Sequence, residues 1–186
     1  MNTLPRHTAL LLVAAQQAWD DPYWGARNNP EAEANMAALL QAFRAAGLEV
    51  VHVRRDARDP NSPLHPGEPG HAFKAETGPR PAETVLRTSG QSAFTGSGLE
   101  DHLRRLGIDR IILAGFTTSH GISSTARHAR DLGFKTVVLR DACVAFELED
   151  VDGNRMPAGT VHQVSLAELH GEVAMVLPTE AILQLL

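Results

Sequence analysis

The chain has 186 residues, 43% of them hydrophobic, which fills one core and leaves little for a second, so residues 1–186 are read as one domain. Lys and Arg number 17 against 22 Asp and Glu, dispersed along the chain. The resulting net charge of -5 argues against a nucleic-acid or anionic-membrane partner and leaves small molecules or proteins. A single cysteine, Cys143, excludes an internal disulfide framework and a cysteine-rich metal site, and it fits a reducing cytoplasm, where the chain is expected.

In chain order, Arg6 and His7 before the apolar run 9–15 loosely imitate a signal peptide. The run is short for that role and its positive flank is thin, so a buried first strand over Thr8 to Val13 is preferred. No run reaches transmembrane length. Pro30 to Ala46 reads as a helix, with Asn29 as N-cap, Met36, Leu39, Leu40 and Phe43 on one face, and Gly47 as its stop. Glu49 to Val53 is the second strand. Pro- and Gly-rich sequence from Asp59 to Pro81 then makes a loop long enough to be either functional or disordered. A third strand is expected over Thr84 to Arg87. Ser97 and Glu100 form an S-x-x-E capping box that opens a helix ending at Gly107. Further strands are read at Arg110 to Ala114, Thr136 to Arg140 and Val173 to Leu177. Alternation of apolar extended runs with helical patterns predicts an α/β fold, a three-layer α/β/α sandwich around a six-stranded, mainly parallel open sheet. Ligands of such sheets bind outside the carboxyl ends of the strands.

Three segments carry the functional information. Thr8 to Gln17 reads Thr-Ala-Leu-Leu-Leu-Val-Ala-Ala-Gln-Gln; Val85 to Phe94 reads Val-Leu-Arg-Thr-Ser-Gly-Gln-Ser-Ala-Phe, followed by Gly96, Ser97, Leu99 and Glu100; Gly115 to Arg127 reads Gly-Phe-Thr-Thr-Ser-His-Gly-Ile-Ser-Ser-Thr-Ala-Arg. In order and spacing they resemble the isochorismatase-like cysteine hydrolases, whose corresponding patterns are A-L-L-V-I-D-M-Q, V-x-x-K-x-x-x-S-A-F-x-G-T-x-L-E and G-x-x-T-x-x-C-V-x-x-T-A-R. Three ordered matches over some 110 residues carry far more weight than one motif. The closing segment from Val161 to Ala174 resembles the last helix and strand of the same family.

The resemblance implies that the family's aspartate base, lysine and cysteine nucleophile fall at Ala14, Thr88 and Gly121. Alanine accepts no proton, threonine supplies no charge and glycine attacks nothing, so the family mechanism is expected to be absent. True isochorismatases also resemble this chain in carrying glycine at the nucleophile position, yet they keep the aspartate and lysine. What the resemblance leaves is a backbone pocket of the oxyanion type at Thr117 and Gly121, at the start of a helix, with a non-proline cis peptide between Phe116 and Thr117.

Candidate ligand contacts are Gln16, Trp19, Arg54, Arg87 and His120. Arg54, Arg55 and Arg87 would give the sheet edge a positive potential suited to a carboxylate, although strand alternation lets only some of them face the pocket. Trp19, Tyr23 and Trp24 either line the cavity or serve an interface. Any vinyl-ether or amide hydrolysis would need a replacement group, the nearest acids being Asp20, Asp21, Asp56 and Asp141. Cys143, among Ala142, Val144 and Phe146, reads as a buried, inert thiol. The stretch Arg54-Arg55-Asp56-Ala57 lacks the D-x-H zinc pair of the resembled nicotinamidases, and His65 and His71 are irregularly spaced, so no metal and no cofactor are expected. Two readings stay open: a pseudoenzyme that binds a small carbonyl or carboxylate compound or acts as a partner subunit, and a hydrolase with rebuilt chemistry. The resemblance implies a homo-oligomer, a dimer or tetramer.

Overall fold

Every residue of strand β1 (Thr8–Val13) is buried, as its unbroken apolar run requires of a central strand covered on both faces. The computed structural model describes residues 3–186. Around β1 lie β2 (Glu49–Arg55), β3 (Thr84–Thr88), β4 (Arg110–Phe116), β5 (Lys135–Val144) and, near the C-terminus, β8 (Met175–Leu177), in the order β3-β2-β1-β4-β5-β8. All neighbouring pairs of this sheet are parallel. Helices α1 (Ala32–Ala46), α2 (Leu99–Arg105), α3 (Ser123–Asp131), α4 (Ala158–Leu169) and α5 (Thr179–Leu183) flank it. The chain runs outward from β1 to β2 and β3, then returns to the other side of β1 for β4 and β5. Right-handed crossovers in opposite directions put the connecting helices on opposite faces. The direction of winding reverses between β1 and β4, which opens a crevice at their carboxyl ends.

At that crevice the two central strands approach unusually closely. Gly115 has φ +127°, and a Cβ there would lie 2.0 Å from the Val13 carbonyl oxygen, so only glycine fits. The β4–β5 register shifts between Leu113 and Gly115, and β5 continues to Val144 instead of ending at Arg140. The Phe116–Thr117 peptide is cis.

Several local expectations are corrected by tertiary partners. Helix α1 begins at Ala32, two residues later than Pro30, and Asn29 does not cap it. Asn29 instead adopts φ +44° and its Nδ2 donates to the carbonyls of Arg140 (2.8 Å) and Cys143 (2.7 Å), tying the helix approach to β5. Gly47 does end the helix in the left-handed conformation. The capping box before α2 does not form. Gly98 is the N-cap, the Ser97 hydroxyl accepts from Leu99 N–H and donates to the Ala93 carbonyl, and Glu100 pairs with Arg104. Val173 lies in a turn before β8, where its N–H bonds the Leu169 carbonyl. A two-residue antiparallel pair, β6 (Leu148–Glu149) with β7 (Arg155–Met156), was not legible in the pattern. The 59–81 stretch is ordered against the body: Leu64, His71, Lys74 and Thr77 are buried, and Phe73 bridges to Gln16.

Candidate functional site at the sheet switch point

A cavity of about 530 Å3 opens at the carboxyl ends of β1, β2, β3 and β4, where the winding reverses. Ala14, Thr88, Thr117 and Gly121, from three separate segments, all line it. The order of the sheet brings them together.

Ala14 leaves β1 at φ +51°, a left-handed conformation uncommon for alanine. Three hydrogen bonds hold it there: its N–H donates to the Val53 carbonyl at 2.7 Å, and its carbonyl accepts from Gln16 N–H at 2.8 Å and from Trp19 Nε1 at 2.6 Å. Thr88 turns its hydroxyl away from the cavity's polar chemistry and into the following loop, donating toward the carbonyls of Ser92 and Thr95 and accepting from Gly90 N–H. Gly121 sits in a short π-helical turn, Thr118–Ile122, that leads into α3. A Cβ built on it would approach the Phe116 carbonyl oxygen to 2.7 Å, so this backbone leaves no room for a larger residue without a shift.

One wall of the cavity is aromatic. Trp19 stacks on Phe116 with centroids 5.6 Å apart and planes 5° from parallel, and it also meets Phe146 at 5.7 Å and Trp24 at 4.6 Å. Tyr23, 72% exposed, stands at the rim. Polar side chains among the lining residues include Arg55, Gln91, Ser119, His120 and Glu147. Arg55 is the sole Lys or Arg lining the cavity, and its Nη1 donates to Gln91 Oε1 at 2.6 Å. Burial, and then the nearby Arg55 charge, hold His120 below the ordinary histidine value, so its imidazole is neutral near pH 7. Its Nδ1 lies 3.0 Å from Ser119 Oγ and 3.3 Å from Thr117 Oγ1. Glu147, the cavity's one carboxylate, is 3.3 Å from Arg155 of β7.

Of the sequence candidates, Trp19 and His120 line the cavity, whereas Gln16, Arg54 and Arg87 do not. Gln16 is fully buried and works as a clamp. Its Oε1 accepts from Arg55 N–H at 2.8 Å, and its Nε2 donates to the carbonyls of Arg55 (3.1 Å) and His71 (3.0 Å). Arg54 stacks over the Phe73 ring at 4.4 Å, and Arg87 reaches outward to Asp56 at 2.7 Å. The alternation of a strand is the reason, since Val53, Arg55 and Ala57 share the cavity side while Arg54 faces away. Reading β2 in steps of two from Val53 identifies Arg55. Nothing in the local pattern identifies Gln91, Phe146 or Glu147.

The four acids considered as replacements all stand outside the cavity. Asp20 pairs with Lys74, Asp21 accepts from Tyr23 N–H, Asp56 is held by His71 and Arg87, and Asp141 accepts from the N–H and hydroxyl of Thr179. Cys143 is fully buried in β5, and burial pushes its thiol up to about 12, far from thiolate chemistry. Among the described residues no three His, Cys, Asp or Glu side chains cluster to hold a metal ion, and no helix is long and apolar enough to cross a membrane.

Comparison with known proteins places these features. Residues 8–178 match the isochorismatase domain family. The chain is 36% identical over 175 residues to the isochorismatase family protein YrdC of Bacillus subtilis, covering 94% of each. A crystal structure of an isochorismatase-family protein from Chromobacterium violaceum superposes with a TM-score of 0.95 at 45% identity, over 100% of this chain and 96% of that one. A second, from Oleispira antarctica, gives 0.87 at 31% identity over 99% and 100%.

Proposed function

The chain belongs to the isochorismatase family, and from that premise we propose that it is a non-hydrolytic member that binds a small carbonyl or carboxylate compound in the switch-point cavity. One observation carries the reading. Ala14, Thr88 and Gly121, which by motif stand where the family's aspartate, lysine and cysteine are found, all line one cavity, and no carboxylate, amine or thiol projects from any of them. Without a nucleophile and its base there is no acyl transfer of the family's kind, because water alone lacks the activation that they supply.

The binding half of the machinery has support of its own. The cavity has the size and the apolar lining with a few polar groups typical of small-molecule sites. Its aromatic wall offers a planar ligand a rigid face, and Arg55, Gln91 and His120 offer a polar end. Glu147 gives the rebuilt-hydrolase reading its one specific foothold, since it alone in the cavity is a carboxylic acid. Its carboxyl group already faces Arg155, 3.3 Å away.

The test is product release by concentrated protein over a panel of small amides, carbamoyl compounds and isochorismate. No turnover is expected, with binding of some panel members detected by calorimetry. Turnover that Glu147→Gln or His120→Ala abolishes would overturn the reading and establish replacement chemistry.

A further inference from the structure

Charge accounting around the cavity leaves one cation without an anion. Glu147 is matched by Arg155, and His120 is neutral, so neither balances Arg55. Among the described residues no carboxylate lies within ion-pair distance of the Arg55 guanidinium, and its protein partner is the uncharged Gln91. Elsewhere the half-buried arginines Arg27 and Arg44 are each met by two carboxylate oxygens, from Glu33 and Glu83. Burial lowers the Arg55 pKa, so the guanidinium bears a desolvation cost that, among the described residues, is met by the uncharged Gln91 and by no carboxylate. A guanidinium retains its charge at any ordinary pH, with a planar fork of donors that matches a carboxylate.

Arg55 is also unusually well placed. The buried amide of Gln16 grips both its N–H and its carbonyl, and the same amide anchors the loop at His71. Gln91, from the loop after β3, fixes the guanidinium from the other side. A side chain held at its backbone and at its tip loses little entropy on meeting a ligand.

We infer that Arg55 is the anion anchor of the cavity, and that the ligand is a monocarboxylate whose carboxyl group pairs with Arg55 while its apolar body lies against Trp19 and Phe146. This rests on the binding reading above and goes further by naming the ligand's charge and the residue that selects it. Gln16 and Gln91 act as positioning residues for Arg55.

Benzoate and its neutral counterpart benzamide, matched in shape, form the probe pair for isothermal titration calorimetry on the full chain at low ionic strength. The wild type is expected to bind benzoate about tenfold or more tightly than benzamide, the range of one charge-assisted bidentate contact. Arg55→Gln should bring the two affinities together, with benzoate losing more than benzamide, and Arg55→Lys should keep part of the preference. Circular dichroism and urea midpoints check that each variant folds; if Arg55→Gln does not fold, Gln91→Ala and Arg55→Lys carry the test, each expected to lower the benzoate preference. A benzoate preference unchanged in these variants, or no preference in the wild type, overturns the anchor and leaves the binding reading standing. Turnover of benzamide overturns the non-hydrolytic reading alone, since discrimination is still read from binding of the two probes. Absence of binding by both probes counts against both.

Discussion

At the residue scale, Gly121 is the position where two opposed effects have a decidable sign. Replacing glycine by alanine inside a helix ordinarily gains up to about 1 kcal/mol through backbone entropy and propensity. At Gly121 the added methyl meets the Phe116 carbonyl at 2.7 Å, a backbone atom that cannot rotate away. Overpacking of this kind costs about 1–3 kcal/mol, so Gly121→Ala is expected to lower the urea midpoint. Gly159, near the start of α4, has nothing within 4 Å of its built Cβ, so Gly159→Ala is expected to raise it. Stabilisation by Gly121→Ala would mean that the Phe116 carbonyl yields freely. By the same geometry a cysteine Cβ at 121 would meet that carbonyl too, because the surrounding backbone is shaped around glycine.

At the element scale, the joint between β1 and β2 depends on one side chain. Gln16 makes three hydrogen bonds across it, two to Arg55 and one to His71, from a site with no solvent exposure. Gln16→Ala leaves the Arg55 N–H without its partner in a buried setting, which costs about 1–3 kcal/mol beyond the bonds themselves. A loss of about 2–4 kcal/mol is therefore expected in denaturant unfolding, with the m-value unchanged. A loss below about 1 kcal/mol would indicate that water takes over the amide's role. In the sequence, Gln16 is a residue of a strand-to-loop motif, and the motif signals a ligand contact. The structure makes it a clamp outside the cavity, on the backbone of Arg55 and the carbonyl of His71. The mis-assignment of Arg54 and Arg87 has the same origin, since adjacent strand residues differ in face while their chemistry is alike.

At the scale of the whole molecule, buried ionisable groups set the pH range of stability. Burial resists ionisation of Glu33, but the hydrogen bond and charge of Arg27, with the charge of Lys74, hold it at about 2. Glu83 is likewise at about 2, burial being outweighed by Arg44, the Arg80 N–H and His52. His52 and His162 are held below 6.5, burial being the largest cause in each. All four shifts are downward, so the unfolded chain binds more protons than the folded one and stability falls as pH falls. The histidine contribution is present above 6.5 and declines below it. The glutamate contribution is present above 4.5 and is lost between there and about 2. Urea midpoints measured from pH 8 to pH 3 should fall in these two stages, and a flat profile would contradict the buried network.

Composition and periodicity by themselves determined the α/β class, the six strands in outline, the α1 face and its glycine stop, because burial of apolar side chains dominates folding and is written in local spacing. The motifs determined the family and located Ala14, Thr88, Thr117 and Gly121 before any of them could be seen to meet. N-caps, register and the remaining members of the site were decided only by tertiary structure. Asn29 abandoned its helix for the carbonyls of β5, and Ser97 turned to Ala93, because partners distant in sequence competed with local ones. Arg55, Gln91, and the neighbouring pair Phe146 and Glu147 come from three segments that share a wall only after the sheet reverses direction between β1 and β4. Hydrogen bonds and charges act over a few ångströms, and no spacing along the chain encodes which distant groups will stand that close.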